Sequence, residues 1–186
     1  MSSNLIKPSK GKLLLSAPFL TDIFKRSVVY LTEYNDKGSI GFIINKPLTM
    51  NISDVIDDFP EFDAKVYYGG PVQQEMLNFF HKAGDKIGGG FDLDKGLYWG
   101  GDFETLKILA ESGNLDPDDF RFFLGYAGWA PNQLDDELET NSWILNKSRV
   151  DDVFSKEPEN LWQNILKEMG GEYTIISTFP ENPSVN

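Results

Sequence analysis

His81 is the chain's single histidine, and its ordinary pKa lies near neutrality. Any histidine-based acid–base catalysis would therefore depend on it. The same residue ends an apolar stretch, residues 76–81, where a hydrogen-bonded histidine at a strand end is the alternative interpretation. The chain has no cysteine, which excludes a disulfide framework, a thiolate zinc site, an iron–sulfur cluster and a cysteine nucleophile. One histidine also excludes a multi-histidine metal site, so we expect neither a metal nor a cofactor.

The segment GYAGWAP, residues 125–131, has the composition of a second candidate site. It is predicted to leave a strand and enter an acidic helix, and such a junction exposes backbone N–H groups that can bind an anion or a carboxylate. Gly125 and Gly128 would allow close approach, while Tyr126 and Trp129 would add a flat apolar wall. The alternative is a tight turn whose tryptophan packs in the core.

Further candidates lie at turns and strand ends. Gly69 and Gly70 let the backbone approach closely or take a positive φ, which fits a binding loop and a structural turn equally. Arg26 and Ser27 precede a predicted strand, and Asn45 ends another. A charged residue there can lie at the rim of a site, with a surface ion pair as the alternative.

The net charge of −12 restricts the partners that the chain can bind. Duplex DNA presents one negative charge per ~1.7 Å of its axis, and the short basic groups of this sequence all have acidic neighbours. These features argue against direct DNA binding and against an anionic membrane surface. The acidic clusters in residues 116–119 and 135–137 could hold a hard cation, but a solvated acidic face is the simpler interpretation.

Several motifs with defined chemistry are absent. The chain lacks the phosphate-binding loop, and Gly88 and Gly90 are followed by Leu93 where a dinucleotide-binding motif needs glycine. The serine-hydrolase elbow does not occur, and an EF-hand from Asp92 would place Phe103 at the glutamate position. No pair of predicted helices carries a basic recognition face. Because each of these chemistries depends on its spacing, the absences argue against the corresponding functions.

Apolar periodicity and turn residues predict the elements that would position the candidates. The predicted strands are residues 13–16, 27–33, 39–45, 65–69, 76–81, 120–125, 143–146 and 173–177, with another hairpin in 86–101. The predicted helices are residues 51–57, 102–112, 133–139 and 158–169. Several strands are joined too tightly for a parallel crossover. We therefore expect an α/β (α+β) fold with a curled, mostly antiparallel or mixed β-sheet and several helices packed outside.

The chain is long enough for one domain, since 186 residues bury roughly 70% of the surface that the unfolded chain exposes. We expect a single domain over residues 1–186, with residues 1–10 and 180–186 as extended tails. The sequence does not begin with a basic segment followed by a long apolar run, and no window reaches the ~20 apolar residues of a membrane span. These observations predict a cytoplasmic protein without a membrane partner.

Taken together, these segments resemble the AlgH/YqgE family of small bacterial proteins. The matches run in family order: GKLLLSAP at 11–18, FKRSV at 24–28, GSIGFIINKP at 38–47, YGGPV at 68–72, Phe80-His81, GYAGW at 125–129, Gln133-Leu134 with Glu137, and NSW at 141–143. The resemblance implies the family's α/β arrangement around a curled, largely antiparallel sheet. Its members are often labelled transcriptional regulators, although their biochemical role is unsettled.

Two positions depart from the family's pattern. Members commonly have Glu-His after the second strand, where this chain has Glu33 and Tyr34, and glycine where Asn132 stands before Gln133. If the family shared a catalytic histidine at the first position, this chain has lost it. The resemblance then implies a regulatory effect through a protein or a small ligand, because the acidic surface and the missing recognition helix argue against direct action on DNA.

The leading hypothesis is a non-enzymatic binding or regulatory domain that acts through an unknown protein partner or small ligand. Its site is expected where special residues meet strand ends and turns: Arg26, Ser27, Asn45, Gly69, Gly70, His81, Gly125, Gly128 and Trp129. The alternative is an enzyme that uses His81 as acid and base on a small anionic substrate held by Arg26 or by backbone N–H groups. Direct regulation at DNA is a third hypothesis.

Overall fold

The computed structural model of the chain describes residues 6–181, and its regular structure there consists of ten strands, six α-helices and three single-turn 3-10 helices (Gly84–Lys86, Pro117–Asp119 and Pro158–Asn160). The strands are β1 (Lys12–Ser16), β2 (Val28–Asn35), β3 (Gly38–Ile43), β4 (Pro47–Asn51), β5 (Lys65–Tyr68), β6 (Val72–His81), β7 (Phe91–Asp92), β8 (Tyr98–Trp99), β9 (Phe120–Trp129) and β10 (Trp143–Lys147). The helices are α1 (Ile52–Val55), α2 (Phe103–Glu111), α3 (Gln133–Glu139), α4 (Val150–Val153), α5 (Leu161–Met169) and α6 (Glu172–Ser177).

The strands form one open sheet in the order β10-β1-β2-β3-β9-β6-β8-β7, with β4 and β5 as a branch. Every pair is antiparallel except β5 with β9. The branch arises because β9 changes neighbours along its length. Its first half pairs with β5, and its last three residues pair with β3. The expected α+β fold with a mostly antiparallel sheet is confirmed.

Helices cover both faces of the sheet, because alternate residues of each strand point to opposite sides. Leu13 and Leu15 of β1 belong to a core cluster that includes the apolar stripe of α5, whereas Leu14 belongs to a cluster that includes Leu134 of α3. A third cluster joins α2 to β5, β6 and β9 around Leu106. The sheet is therefore buried on two sides near its centre.

Local capping explains where two helices begin. The Asp102 carboxylate accepts the Thr105 N–H at 2.8 Å and starts α2. The Asp54 carboxylate accepts the Asn51 N–H at 2.8 Å, in the capping-box arrangement predicted from the spacing. Helix α1 ends at Val55, two residues earlier than predicted.

Two predictions about elements are wrong. Residues 173–177 form part of α6, not a final strand. Residues 125–129 do not form a strand–turn–helix junction, because β9 runs on to Trp129. The single domain over residues 1–186 stays a prediction, and residues 1–5 and 182–186 of its tails lie outside the described residues. Within residues 6–181, no helix is long and apolar enough to cross a membrane.

Candidate functional site

Arg26, Ser27 and Asn45 lie together where β1, β2 and β3 have adjacent ends. The Asn45 amide donates to the Arg26 carbonyl at 2.8 Å and accepts the Val28 N–H at 2.8 Å. The Ser27 N–H donates to the Ser16 hydroxyl at 2.9 Å. These bonds fasten the connection between β1 and β2 to the end of β3. Backbone groups therefore bind both polar atoms of the Asn45 amide, so Asn45 has a structural role.

The Arg26 side chain reaches from this corner to the end of α6. Its Nη2 donates to the Phe179 carbonyl at 2.6 Å, and its guanidinium carbon lies 5.3 Å from the centroid of the Trp162 ring. The Trp162 indole in turn donates to the Ser16 carbonyl at 3.0 Å. Arg26 therefore links α6 to α5 and to the sheet.

Gly69, Gly70 and Gly125 meet at the point where β9 changes neighbours. The Gly69 N–H donates to the Leu124 carbonyl at 2.8 Å, and the Gly69 carbonyl accepts the Ile43 N–H at 2.9 Å. A Cβ on Gly125, whose φ is +70°, would collide with the Gly70 carbonyl oxygen. Three strands exchange partners here, and only glycine leaves room for their backbones to pass. The close approach predicted for these glycines is real, but its partner is the chain itself.

Gly128 and Trp129 lie further along β9, on a shallow cleft of about 350 Å³ that Tyr126 also lines. The Trp129 indole N–H donates to Oε2 of Glu137 at 2.8 Å, and the Trp143 indole N–H donates to the same oxygen at 2.7 Å. The two rings meet edge to face, with centroids 5.9 Å apart. One carboxylate of α3 thus joins β9 to β10.

Sequence reasoning missed this role of Glu137. Residues 135–137 are interpreted from the sequence as a solvated acidic face, with a hard-cation site as the alternative, and Glu137 is named again among the matches to the family. A usable signal was present in the spacing of Gln133 and Glu137, which lie four residues apart on a helix between two tryptophans. The Gln133 amide donates to Oε1 of Glu137 at 2.9 Å, which leaves both carboxylate oxygens bonded.

His81 lies elsewhere, at the end of β6, and is completely buried. The Ala83 N–H can only donate, so Nδ1 of His81 accepts it at 3.2 Å and the proton is assigned to Nε2, which donates to the Gly100 carbonyl at 2.9 Å. The imidazole stacks on Tyr98 and Phe120, with centroids 5.5 Å and 5.6 Å away. Burial lowers the pKa of His81, with the Gly100 carbonyl acting in the opposite direction.

This setting is that of a neutral core histidine whose two ring nitrogens are both bonded. The enzyme hypothesis requires His81 to reach a substrate from solvent, and its burial provides no such access. The predicted site residues thus fall into separate groups: the Arg26 corner, the glycine crossing, the Trp129 cleft and the buried His81. Among residues 6–181, no three or more His, Asp or Glu side chains are grouped so that they could hold a metal ion.

A larger feature, the β10 groove, was not predicted. It has a volume of about 870 Å³ and is mainly apolar. The end of α3 and the length of α6 form its two walls, and β10 lies between them. Its lining residues are Ile6, Pro8, Ala17, Pro18, Phe19, Leu138, Asn141, Trp143, Ile144, Leu145, Met169, Glu172, Tyr173, Ile176 and Phe179. Glu172 is the one charged residue in this described lining.

The free edge of β10 lies along this groove. The Ala17 N–H donates to the Ser142 carbonyl at 2.9 Å, which fixes the phase of the ladder between β1 and β10. Because hydrogen-bonded pairs alternate in an antiparallel ladder, the peptide groups of Trp143, Leu145 and Lys147 point away from β1. In the described part of the chain, no backbone group pairs with them.

Comparisons with known proteins agree with this architecture. The AlgH-like family model matches residues 13–174. UPF0301 proteins of Cytophaga hutchinsonii and Chlorobaculum parvum are 45% and 43% identical over 180 and 177 residues, covering 96% and 95% of this chain and 99% and 95% of theirs.

Two solved structures are similar across almost their whole length. The solution structure of AlgH from Pseudomonas aeruginosa gives a TM-score of 0.74 at 26% identity, covering 97% of this chain and 98% of that one. A Corynebacterium diphtheriae protein gives 0.76 at 22% identity, covering 96% and 95%, and supports the fold alone. The family resemblance inferred from the sequence is confirmed, and the chain belongs to the AlgH-like family.

Proposed function

We propose that this protein is a non-enzymatic cytoplasmic binding domain that takes up an extended segment of a partner protein as an additional strand beside β10. The observation that carries the proposal is the row of outward-facing peptide groups at Trp143, Leu145 and Lys147, the first two of which line the β10 groove. Unpaired strand edges are templates for such addition. Any regulatory effect on transcription is then indirect and passes through this protein contact.

The walls of the β10 groove define the side chains that the partner segment needs. A strand bound to β10 alternates its side chains between the two faces of the sheet. One set meets Leu138 on α3, and the other meets Tyr173 and Ile176 on α6. Both sets should therefore be apolar along most of the segment.

Charge adds a second requirement. Glu172 lies in the lining, and the chain carries a net charge of −12, so the partner segment should carry lysine or arginine. A basic segment is steered towards an acidic protein, whereas an acidic segment or nucleic acid is repelled. This requirement separates the proposed partner from a second copy of the chain, which carries the same negative charge.

Arg26 gives the predicted site a role in this arrangement. By holding the Phe179 carbonyl, it fastens the end of α6, which forms one wall of the β10 groove. Asn45 and Ser27 support the same corner. Replacement of Arg26 should therefore weaken partner binding by loosening a wall.

The test uses a synthetic nine-residue peptide of valine with an arginine at each end, titrated into the ¹⁵N-labelled full chain and followed by NMR. We expect shift changes and slowed amide exchange at Trp143, Leu145 and Lys147. Phe179→Ser should weaken binding, since Phe179 lines the groove and is 45% exposed, whereas Ile108→Ser on α2, 64% exposed and outside the groove, should not.

Two control peptides make the test decisive. A peptide with N-methyl groups on alternate residues loses its backbone donors, and one with glutamate in place of arginine loses its charge complementarity. Both should bind more weakly than the parent peptide. Equal binding of the N-methylated peptide, shifts at another surface, or protection of the β10 edge by self-association without any peptide would each overturn the proposal.

A further inference from the structure

A second cavity, which we call the Tyr30 pocket, lies beyond the other end of β10. It has a volume of about 440 Å³ and is bounded by the start of β1, the turn between β7 and β8, and the residues after β10. Val150 provides apolar surface within it, and the buried side chains of Leu93 and Leu97 lie beneath that surface. None of the residues in the predicted site contributes to this pocket, and the β10 groove shares no lining residue with it.

The floor of the Tyr30 pocket is polar but uncharged. Tyr30 is only 3% exposed, and its hydroxyl donates to the Leu93 carbonyl at a long 3.3 Å. The Ser148 hydroxyl donates to the Gly11 carbonyl at 2.6 Å. A Cβ added to Gly11 would lie 3.6 Å from the Tyr30 hydroxyl. Burial raises the pKa of Tyr30 to about 12, so the phenol stays neutral at the base of the pocket.

The rim carries charges of both signs. Nζ of Lys10 donates to the Asp92 carbonyl at 3.0 Å, and Nζ of Lys95 donates to the Ser148 carbonyl at 3.4 Å. These bonds hold the two ammonium groups at the mouth and leave further N–H donors on each. The carboxylates of Asp92 and Asp94 lie on the same rim, and the Asp92 carboxylate accepts the Asp94 N–H at 2.7 Å.

The turn that carries these charges has an unusual backbone. Asp94 and Lys95 both have a positive φ, +88° and +56°, which non-glycine residues rarely adopt. The Leu97 N–H donates to the Asp94 carbonyl at 3.0 Å and closes the turn. The conformation costs free energy, and it presents one cation and one anion side by side over the pocket.

We propose that the Tyr30 pocket binds a small zwitterion, namely a free α-amino acid with an apolar side chain. Its carboxylate would lie against Lys10 and Lys95, and its ammonium against Asp92 and Asp94. Its side chain would lie against Val150. A purely anionic or purely cationic ligand would satisfy only half of the rim, and an anion would also meet the repulsion of the whole chain.

The test titrates L-leucine into the ¹⁵N-labelled full chain, with L-leucinamide and N-acetyl-L-leucine as probes that lack one charge each. We expect L-leucine to shift the amides of Tyr30, Asp94 and Lys95, and each blocked probe to bind about tenfold more weakly, as expected for the loss of a charged hydrogen-bonding group. Shifts at other residues, equal binding of all three probes, or no binding at about 10 mM ligand would overturn the proposal.

Two rim variants sharpen the assignment. Lys95→Met should weaken L-leucine binding but leave L-leucinamide unchanged, because that probe has no carboxylate. Asp94→Asn should weaken L-leucine binding but leave N-acetyl-L-leucine unchanged, because that probe has no ammonium. Lys107→Met on α2 is the control for loss of a positive charge away from the pocket. If Lys95→Met weakens the three probes equally, the rim acts only by holding the turn and the proposal is wrong.

Discussion

Replacing Glu137 tests how α3 is held to the sheet. Oε2 of Glu137 accepts the indole N–H groups of Trp129 and Trp143 at 2.8 Å and 2.7 Å. The two tryptophans are 6% and 5% exposed with the carboxylate in place. Glu137→Ala should leave two buried donors without an acceptor.

The expected cost follows from those two donors. A buried donor without a partner costs about 1–3 kcal/mol, so Glu137→Ala should lower the free energy of unfolding by about 2–6 kcal/mol. For a chain of this size a loss of about 3 kcal/mol lowers Tm by roughly 6–12 °C. Glu137→Gln retains one acceptor oxygen near both indoles, and we expect it to cost about 1–2 kcal/mol because the charge is lost.

Urea denaturation followed by circular dichroism measures these differences. Glu139→Ala is the matched control, because Glu139 is exposed on the same helix and should change stability by no more than about 0.5 kcal/mol. A Trp143→Phe background adds a double-mutant cycle, in which Glu137→Ala should cost less than in the native background. If Glu137→Ala and Glu139→Ala have the same stability, the two indole bonds do not hold α3 and the reasoning is refuted.

Three further predictions follow from the packing. Gly125→Ala should destabilise the fold by more than about 4 kcal/mol, because Gly125 has a positive φ and the new Cβ would collide with the Gly70 carbonyl. Gly128→Ala should cost less than about 1 kcal/mol, since its Cβ would find its nearest neighbour at 3.5 Å. Equal losses of stability for the two variants in urea denaturation would contradict the strand crossing. Because burial lowers the pKa of His81 from 6.5, its contribution to stability is present above that value and lost as pH falls below it. His81→Gln should therefore reduce the loss in free energy of unfolding between about pH 7.5 and 5.5, measured by urea denaturation. An unchanged loss in the variant would count against a buried neutral histidine. Tyr30 should ionise near pH 12 in an absorbance titration compared with Tyr30→Phe, and ionisation near 10 would mean that its hydroxyl is solvated.

Local signals accounted for much of the fold. The hairpin of β2 and β3 was predicted because four turn residues separate two β-rich runs, and its strands differ from the prediction by one or two residues at each end. The cap at Asp102 and the apolar stripe of α5 were equally readable. Each of these features depends on residues close together in the sequence.

The errors occurred where contacts between residues distant in the sequence determine the local structure. Gly125 was interpreted as the start of a turn, but it lies in the middle of β9, where three strands exchange partners. Residues 173–177 are rich in β-favouring side chains, yet Tyr173 and Ile176 lie three apart and pack on the core as one helical face. Tertiary packing overrides local propensity in both cases.

The candidate site likewise has parts that the sequence indicates and parts that depend on distant contacts. The structure gives three of the predicted residues structural contacts: Gly69 and Gly125 lie where a Cβ would collide with the backbone, and Arg26 donates to the Phe179 carbonyl. The β10 groove could not be predicted from the sequence, because its walls, α3 and α6, are more than thirty residues apart in the chain. Nor could the sequence show that the edge of β10 lacks a backbone partner in the described chain, since that depends on the order of the strands.

The most direct test of the central claim is amide hydrogen exchange along β10, measured with and without the valine–arginine peptide. Without peptide, the amides of Trp143, Leu145 and Lys147 should exchange quickly, while those of Ile144 and Asn146, which face β1, should be protected. Saturating peptide should protect the first set and leave the second unchanged. Slow exchange of both sets in the free protein, or continued fast exchange of the first set with peptide bound, would contradict strand addition at β10.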